Sequence, residues 1–176
     1  MIKRWMQGVT RATEVVLIAI LTVLSIVVFG QVLLRYVFGT ALSFADELSR
    51  YLLVWLGFLG GSLGIRAGAH IGVEALWRFL TPRARRAIAL FVAALVFVFL
   101  AVLTVAGIKV LPNQLLQLSP GIGVSMFWPY LAVPVGGALM LLQLAEVAVR
   151  LWRGAPSLEY LAESEMVEPE PIGGTR

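Results

Sequence analysis

Residues 87–108 read AIALFVAALVFVFLAVLTVAGI, a run of 22 residues without a single charge. A helix on the surface of a soluble protein needs one polar face, and this run offers none. At 1.5 Å per residue it would extend about 33 Å as a helix, enough to cross a hydrocarbon layer of about 30 Å. A helix is also the form in which one segment satisfies all its own backbone groups in lipid. The ends are marked as well. Arg83, Arg85 and Arg86 precede the run, Lys109 follows it, and Thr81-Pro82 supplies an N-cap side chain and a proline at the first helical position.

Three further predominantly apolar runs lie outward from it. Residues 15–34 are uncharged between Glu14 and Arg35; residues 44–65 follow Ser43, which has Asp46 three positions on in the manner of a capping box; residues 126–145 carry Pro129 in the first turn and Pro134 able to kink the helix. The start, Met1-Ile2-Lys3-Arg4, is similar to the charged region of a secretory signal, but the apolar run after it is too long and no small-residue cleavage site follows. The first run is therefore expected to be a retained span. Composition agrees: mean hydropathy is +0.91, and 14% of the 176 residues are charged, against about a quarter in an ordinary soluble domain. The expected fold is an all-α integral membrane bundle of four transmembrane helices, with residues 1–153 as the membrane domain.

Between the second and third runs the pattern changes. His70, Glu74 and Arg78 recur at spacing four while Val73, Leu76, Trp77 and Leu80 fall on the opposite face. Residues 70–80 are too short and too polar to span, and are expected to form an amphipathic helix lying in the cytoplasmic-side interface. Pro112, Asn113, Ser119, Pro120, Gly121 and Gly123 make the stretch after Lys109 a loop, and Leu115, Leu116 and Leu118 place it on the bundle or in the interface. Residues 154–176, with Glu159, Glu163, Glu165, Glu168 and Glu170, are expected to be a disordered cytoplasmic tail.

Lysine and arginine set the orientation. Eleven of the fourteen fall on one side, before the first span, between the second and third, and after the fourth; Arg35, Arg50 and Lys109 fall on the other. Both termini and the amphipathic helix are thus expected in the cytoplasm. Trp5, Trp77 and Trp152 then lie at the inner interface, and Tyr36, Tyr51, Trp128 and Tyr130 at the outer one. The basic residues flank apolar runs, so the formal charge of +4 reflects topology and lipid contact, not nucleic acid.

Cysteine is absent and His70 is the one histidine, which removes thiolate chemistry, thiolate metal sites and a haem held by two histidines of one chain. No metal-ligand spacing, phosphate loop or nucleophile with its base occurs, so neither catalytic residues nor a cofactor or metal are expected. Pumps and ion-coupled carriers place ionisable groups near the bilayer midplane; residues 15–34, 51–65, 87–108 and 110–145 hold none. Polar residues gather instead at the outer end, where Gln31 and Arg35 close the first span and Asp46, Glu47 and Arg50 open the second. Asp46 and Arg50, four apart, are expected to pair along one face, with Arg35 available to the neighbouring carboxylate. The cluster reads either as a clamp between two helices or as a face toward a substrate or partner. If Glu47 and Arg50 pair, reversing both charges should restore part of what reversing Glu47 removes.

Gly57, Gly60, Gly61, Gly64 and Gly68 form overlapping small-xxx-small pairs, a stripe for close helix packing against this bundle or a partner subunit. Trp55, mid-span on the same helix, reads as packing.

With these residues in place the chain resembles the small membrane subunit of tripartite ATP-independent periplasmic (TRAP) transporters, the DctQ-like family. The resemblance lies in Gln31-Val32-Leu33-Leu34-Arg35-Tyr36-Val37-Phe38, in Glu47 and Arg50 ahead of Trp55, in Phe58-Leu59-Gly60-Gly61-Ser62, and in Arg66 followed by His70-Ile71-Gly72-Val73. Ser125, Tyr130, Pro134, Gly136 and Leu139-Met140 extend it. It implies a non-catalytic scaffold for a large permease subunit in the bacterial inner membrane, which carries organic acids with sodium and receives them from a periplasmic solute-binding protein. On that resemblance the large subunit would cover the glycine stripe and the binding protein would meet the outer charged cluster. A second reading is an independent four-helix transporter or channel working as a homo-oligomer, which would need an ionisable residue within the bilayer. A membrane enzyme or redox protein fits poorly with no cysteine and one histidine.

Overall fold

A computed structural model describes residues 2–40, 43–66 and 81–152. The proposed interfacial helix 70–80, Gly68 and the tail lie outside the described residues. Four helices are long and apolar enough to cross a membrane, as the hydrophobic runs require: α1 (Ile2–Val37), α2 (Ser43–Arg66), α3 (Pro82–Gln114) and α4 (Phe127–Trp152). Among the described residues there is no strand, only an isolated bridge between Leu118 and Ser125.

Each helix outruns its uncharged run, because hydropathy decides what sits in lipid while backbone hydrogen bonding carries a helix on until something breaks it. α1 continues to Val37 and stops before Gly39, whose φ of 66° is a left-handed conformation that glycine adopts without strain. α3 opens as expected, with Pro82 behind Thr81, whose hydroxyl accepts from the Ala84 N–H at 3.4 Å. It does not end at Pro112, where the sequence suggested a loop, but runs on to Gln114. A proline in a final turn interrupts only one bond, and the Pro112 carbonyl still accepts from Leu115 N–H at 3.4 Å. α4 likewise passes residue 145, so Glu146 falls inside the span Phe127–Val149.

Side-chain contacts give the order of packing. Gly136 of α4 lies against Phe58 of α2 and Met140 of α4 against Gly61 of α2, so the two numberings rise together and the helices are parallel. Gly107 of α3 lies against Val133 and Gly137 of α4 against Thr104, so α3 and α4 are antiparallel. α1 packs principally on α2, and the helices follow one another in space as α1, α2, α4, α3. α4 is the centre: 39% of its most apolar window is buried, against none of that of α1. Ile65, Ala93, Leu100 and Leu144 form the core cluster where α2, α3 and α4 meet, with Val96, Met140 and Leu141 packed on it. The exposed side chains of α1 and α3, such as Ile18, Phe29, Phe91 and Phe99, are apolar because their surroundings are lipid or another apolar surface.

The sequence reading passed over Gln143. It is 1% exposed, on the central helix, and neither atom of its amide has a hydrogen-bond partner among the described residues. A buried amide left unpaired costs about 1–3 kcal/mol, whereas leucine fills similar volume with nothing to satisfy. Gln143→Leu should therefore raise the midpoint of detergent-induced unfolding followed by circular dichroism; a lowered midpoint would mean that the amide is paired in the membrane.

Candidate functional site

The polar end, expected from the sequence to face outward, is built by α1, α2 and the α3–α4 connection. Gln31, nearly two turns before the end of α1, donates through Nε2 to Asp46 Oδ1 in the first turn of α2, tying the antiparallel pair across its short link. One residue on, Glu47 points away from α1. Its Oε2 accepts from the Ser119 hydroxyl, from Gly121 N–H at 3.0 Å and from Ile122 N–H at 3.1 Å. A carboxylate gathering two successive backbone N–H groups and a hydroxyl occupies what would otherwise be an anion-binding nest. Glu47 is half-buried and Ser119 is 3% exposed, so the clasp is partly shielded from water.

The connection is shaped to meet it. Ser119 N–H donates to Val124 at 2.9 Å and Gly123 N–H returns to the Ser119 carbonyl at 2.9 Å, closing a turn in which Gly123 has a φ of 72°. Met126 N–H donates to Gln117 at 2.8 Å. Ser125 then starts α4: its hydroxyl accepts from Phe127 N–H at 3.2 Å and donates back to the last carbonyls of α3, Gln114 and Leu115. Below the clasp, Trp55 Nε1 donates to the Trp128 carbonyl at 3.2 Å and the Tyr51 hydroxyl reaches Met126 Sδ at 3.3 Å. Trp55 thus pins α2 to the first turn of α4.

This arrangement differs from the expected ion pairing. Among the described residues no ion pair joins Arg35, Asp46, Glu47 and Arg50; each carboxylate is held by neutral donors, and both arginines are exposed. The spacing of four put Asp46 and Arg50 on one face, but the competing donors are fixed by the fold whereas an exposed arginine gains little from a surface pair. The glycine stripe also divides. A Cβ at Gly61 would lie 2.6 Å from Met140 Cε, while Gly57, Gly60 and Gly64 have nothing within 4 Å. The close contacts of the bundle come mainly from Gly107, Gly136 and Gly137, which the reading of α2 alone did not reach. Among the remaining interfacial candidates, His70, Glu74, Trp77 and Arg78 lie outside the described residues.

No His/Asp/Glu group able to hold a metal occurs among the described residues. Their buried polar side chains are Thr13, Ser49, Ser62, Ser119 and Gln143, none of them ionisable. These features define a small multi-pass membrane protein in which the fully buried polar side chains, among the described residues, are all neutral; half-buried Glu146 is an ionisable group inside a span. A family model described as "Tripartite ATP-independent periplasmic transporters, DctQ component" matches residues 24–154. The chain belongs to this family, the small permease subunits of TRAP transporters.

Individual relatives agree. A chain described as a TRAP transporter small permease protein in Haemophilus influenzae is 42% identical over 42% of this chain and 46% of its own length. The C4-dicarboxylate TRAP transporter small permease protein DctQ of Rhodobacter capsulatus is 30% identical over 62% of this chain and 49% of its own. The matched segment thus spans about half the length of these two relatives. The sialic acid TRAP transporter small permease protein SiaQ of Vibrio cholerae is 22% identical over 88% of this chain and 91% of its own.

Proposed function

We propose that this chain is a non-catalytic scaffold for the large permease subunit of a sodium-coupled, binding-protein-dependent transporter of organic acids, seated in the bacterial inner membrane with both termini in the cytoplasm. The observation that carries the scaffold reading is the absence of any buried ionisable side chain among the described residues. A bundle whose core holds no ionisable group has little with which to couple an ion gradient to solute movement. Sodium coupling comes from the family resemblance, and organic acids from the C4-dicarboxylate and sialic acid relatives. The positive-inside distribution of lysine and arginine supports the orientation.

In this reading the open part of the glycine stripe, Gly57, Gly60 and Gly64, receives the large subunit, and the exposed Arg35 and Arg50 at the outer end meet a docking solute-binding protein. His70, Glu74, Trp77 and Arg78 hold the connection between α2 and α3 at the cytoplasmic lipid surface.

Two measurements test this. Reconstituted by itself in liposomes the chain should give no gradient-driven uptake of C4-dicarboxylate or sialic acid, whereas uptake by the chain unaccompanied would favour an independent homo-oligomeric carrier. Gly60→Leu should leave unfolding of the purified chain unchanged, because nothing within 4 Å resists the side chain, yet lower the yield of large permease purified with it several-fold. An unchanged yield would place the stripe against lipid.

A further inference from the structure

We propose that the hairpin joining α3 to α4 lies in the membrane, at the boundary between headgroups and acyl chains, with Leu116 and its neighbours in contact with lipid. Leu116 is 93% exposed and Leu118 64%, so the leucines are not packed on the bundle. Nor is the hairpin made for water: from residue 110 to residue 145 there is no Asp, Glu, Lys, Arg or His.

Its depth follows from two helices independently. On α2, Glu47 lies 18 residues from Ile65, about 27 Å along the helix axis, close to the hydrocarbon thickness of about 30 Å. The carboxylate that clasps Ser119, Gly121 and Ile122 is therefore at the hydrocarbon edge, and it holds the turn there. On α4, the uncharged run 126–145 is about 30 Å long, which puts Met126 at the same edge. α3 runs five residues past Lys109, about 8 Å more, which keeps the hairpin at the headgroup level.

Backbone hydrogen bonding agrees with that level. Within the turn 119–123 every N–H is bonded, to Glu47, to Val124 or to Ser119, and Pro120 has none to bond. Irregular backbone tolerates a poorly hydrated setting only when satisfied in this way. The N–H groups of Leu116, Gln117 and Leu118 have no partner among the described residues, which suits the headgroup layer with its water and phosphates and does not suit the acyl core. Trp128 and Tyr130, 59% and 42% exposed, mark the same plane, since amphipathic aromatic rings concentrate at interfaces. Which leaflet is involved rests on the orientation proposed above; the depth does not.

The chain has no cysteine, so Leu116→Cys can be labelled with a nitroxide at one position. The labelled full chain, with any permease that purifies with it, is placed in phosphatidylethanolamine–phosphatidylglycerol vesicles, and collision with oxygen and with a water-soluble nickel chelate is measured by spin resonance. The expected ratio of oxygen to nickel collisions is several-fold above that of free label in water and below that of a label at Phe99→Cys in the middle of α3. A ratio equal to that of free label would put the hairpin in water. An immobilised label that meets neither reagent would show a protein covering it. Either result overturns the proposal. Leu118→Cys provides the same reading should the first variant fold poorly, and a failure of the scaffold reading would leave both ratios unchanged.

Discussion

Gly136→Val is expected to be the most damaging single substitution in the bundle. A Cβ at this position would lie 2.5 Å from Phe58 Cβ and 3.2 Å from the Phe58 carbonyl carbon. The second atom belongs to the backbone of α2, so no rotamer change relieves it, and the two central parallel helices must separate. Over-packing of this kind costs about 1–3 kcal/mol. In a membrane, where tight van der Waals fit replaces the hydrophobic effect as the force between helices, the loss spreads along the whole α2–α4 seam. The variant should unfold at a clearly lower dodecyl sulfate fraction in mixed micelles, followed by circular dichroism. Unfolding at the wild-type fraction would mean that the α2–α4 contact is looser than described. Gly60 is the matched comparison, being on the same pair of helices with open space around it.

Glu47→Ala is expected to release the α3–α4 hairpin without unfolding the spans. Three donors lose their shared acceptor, two of them backbone N–H groups, of which Ile122 keeps a longer contact to the Ser119 hydroxyl oxygen at 3.3 Å. A hydrogen bond to a charged group contributes about 1.5–3 kcal/mol, and even the lower figure corresponds to roughly tenfold in the population of an opened hairpin. Amide hydrogen exchange at Gly121 and Ile122 should accelerate by about that factor, while exchange in the middle of α3 and α4 stays as it was. Equal protection before and after would remove Glu47 from its role as clasp. Reversal of the charge by Glu47→Arg should do at least as much harm, and adding Arg50→Glu should not repair it. The carboxylate answers to the hairpin, not to the arginine one turn on, so a restored double variant would show that Glu47 and Arg50 pair.

Hydrophobic length and charge placement determined a great deal before any contact was known. The runs 15–34, 87–108 and 126–145, and 44–65 behind its charged first turns, imply four membrane helices because an apolar stretch of that length has no other way to satisfy its backbone in lipid. Thr81 and Pro82 marked the start of α3 because capping is a local interaction.

What only the tertiary structure decided is which residues meet. Asp46 and Glu47 are adjacent in sequence, yet one turns to Gln31 on α1 and the other to a turn more than seventy residues away. Five glycines from Gly57 to Gly68 gave equal promise of close packing, but among those described only Gly61 is filled from within the chain. The tight seams belong to glycines of α3 and α4 whose neighbours lie on other helices. Spacing specifies the face on which a residue sits; what stands opposite that face is set by the crossing and register of separate helices, and no local pattern encodes it.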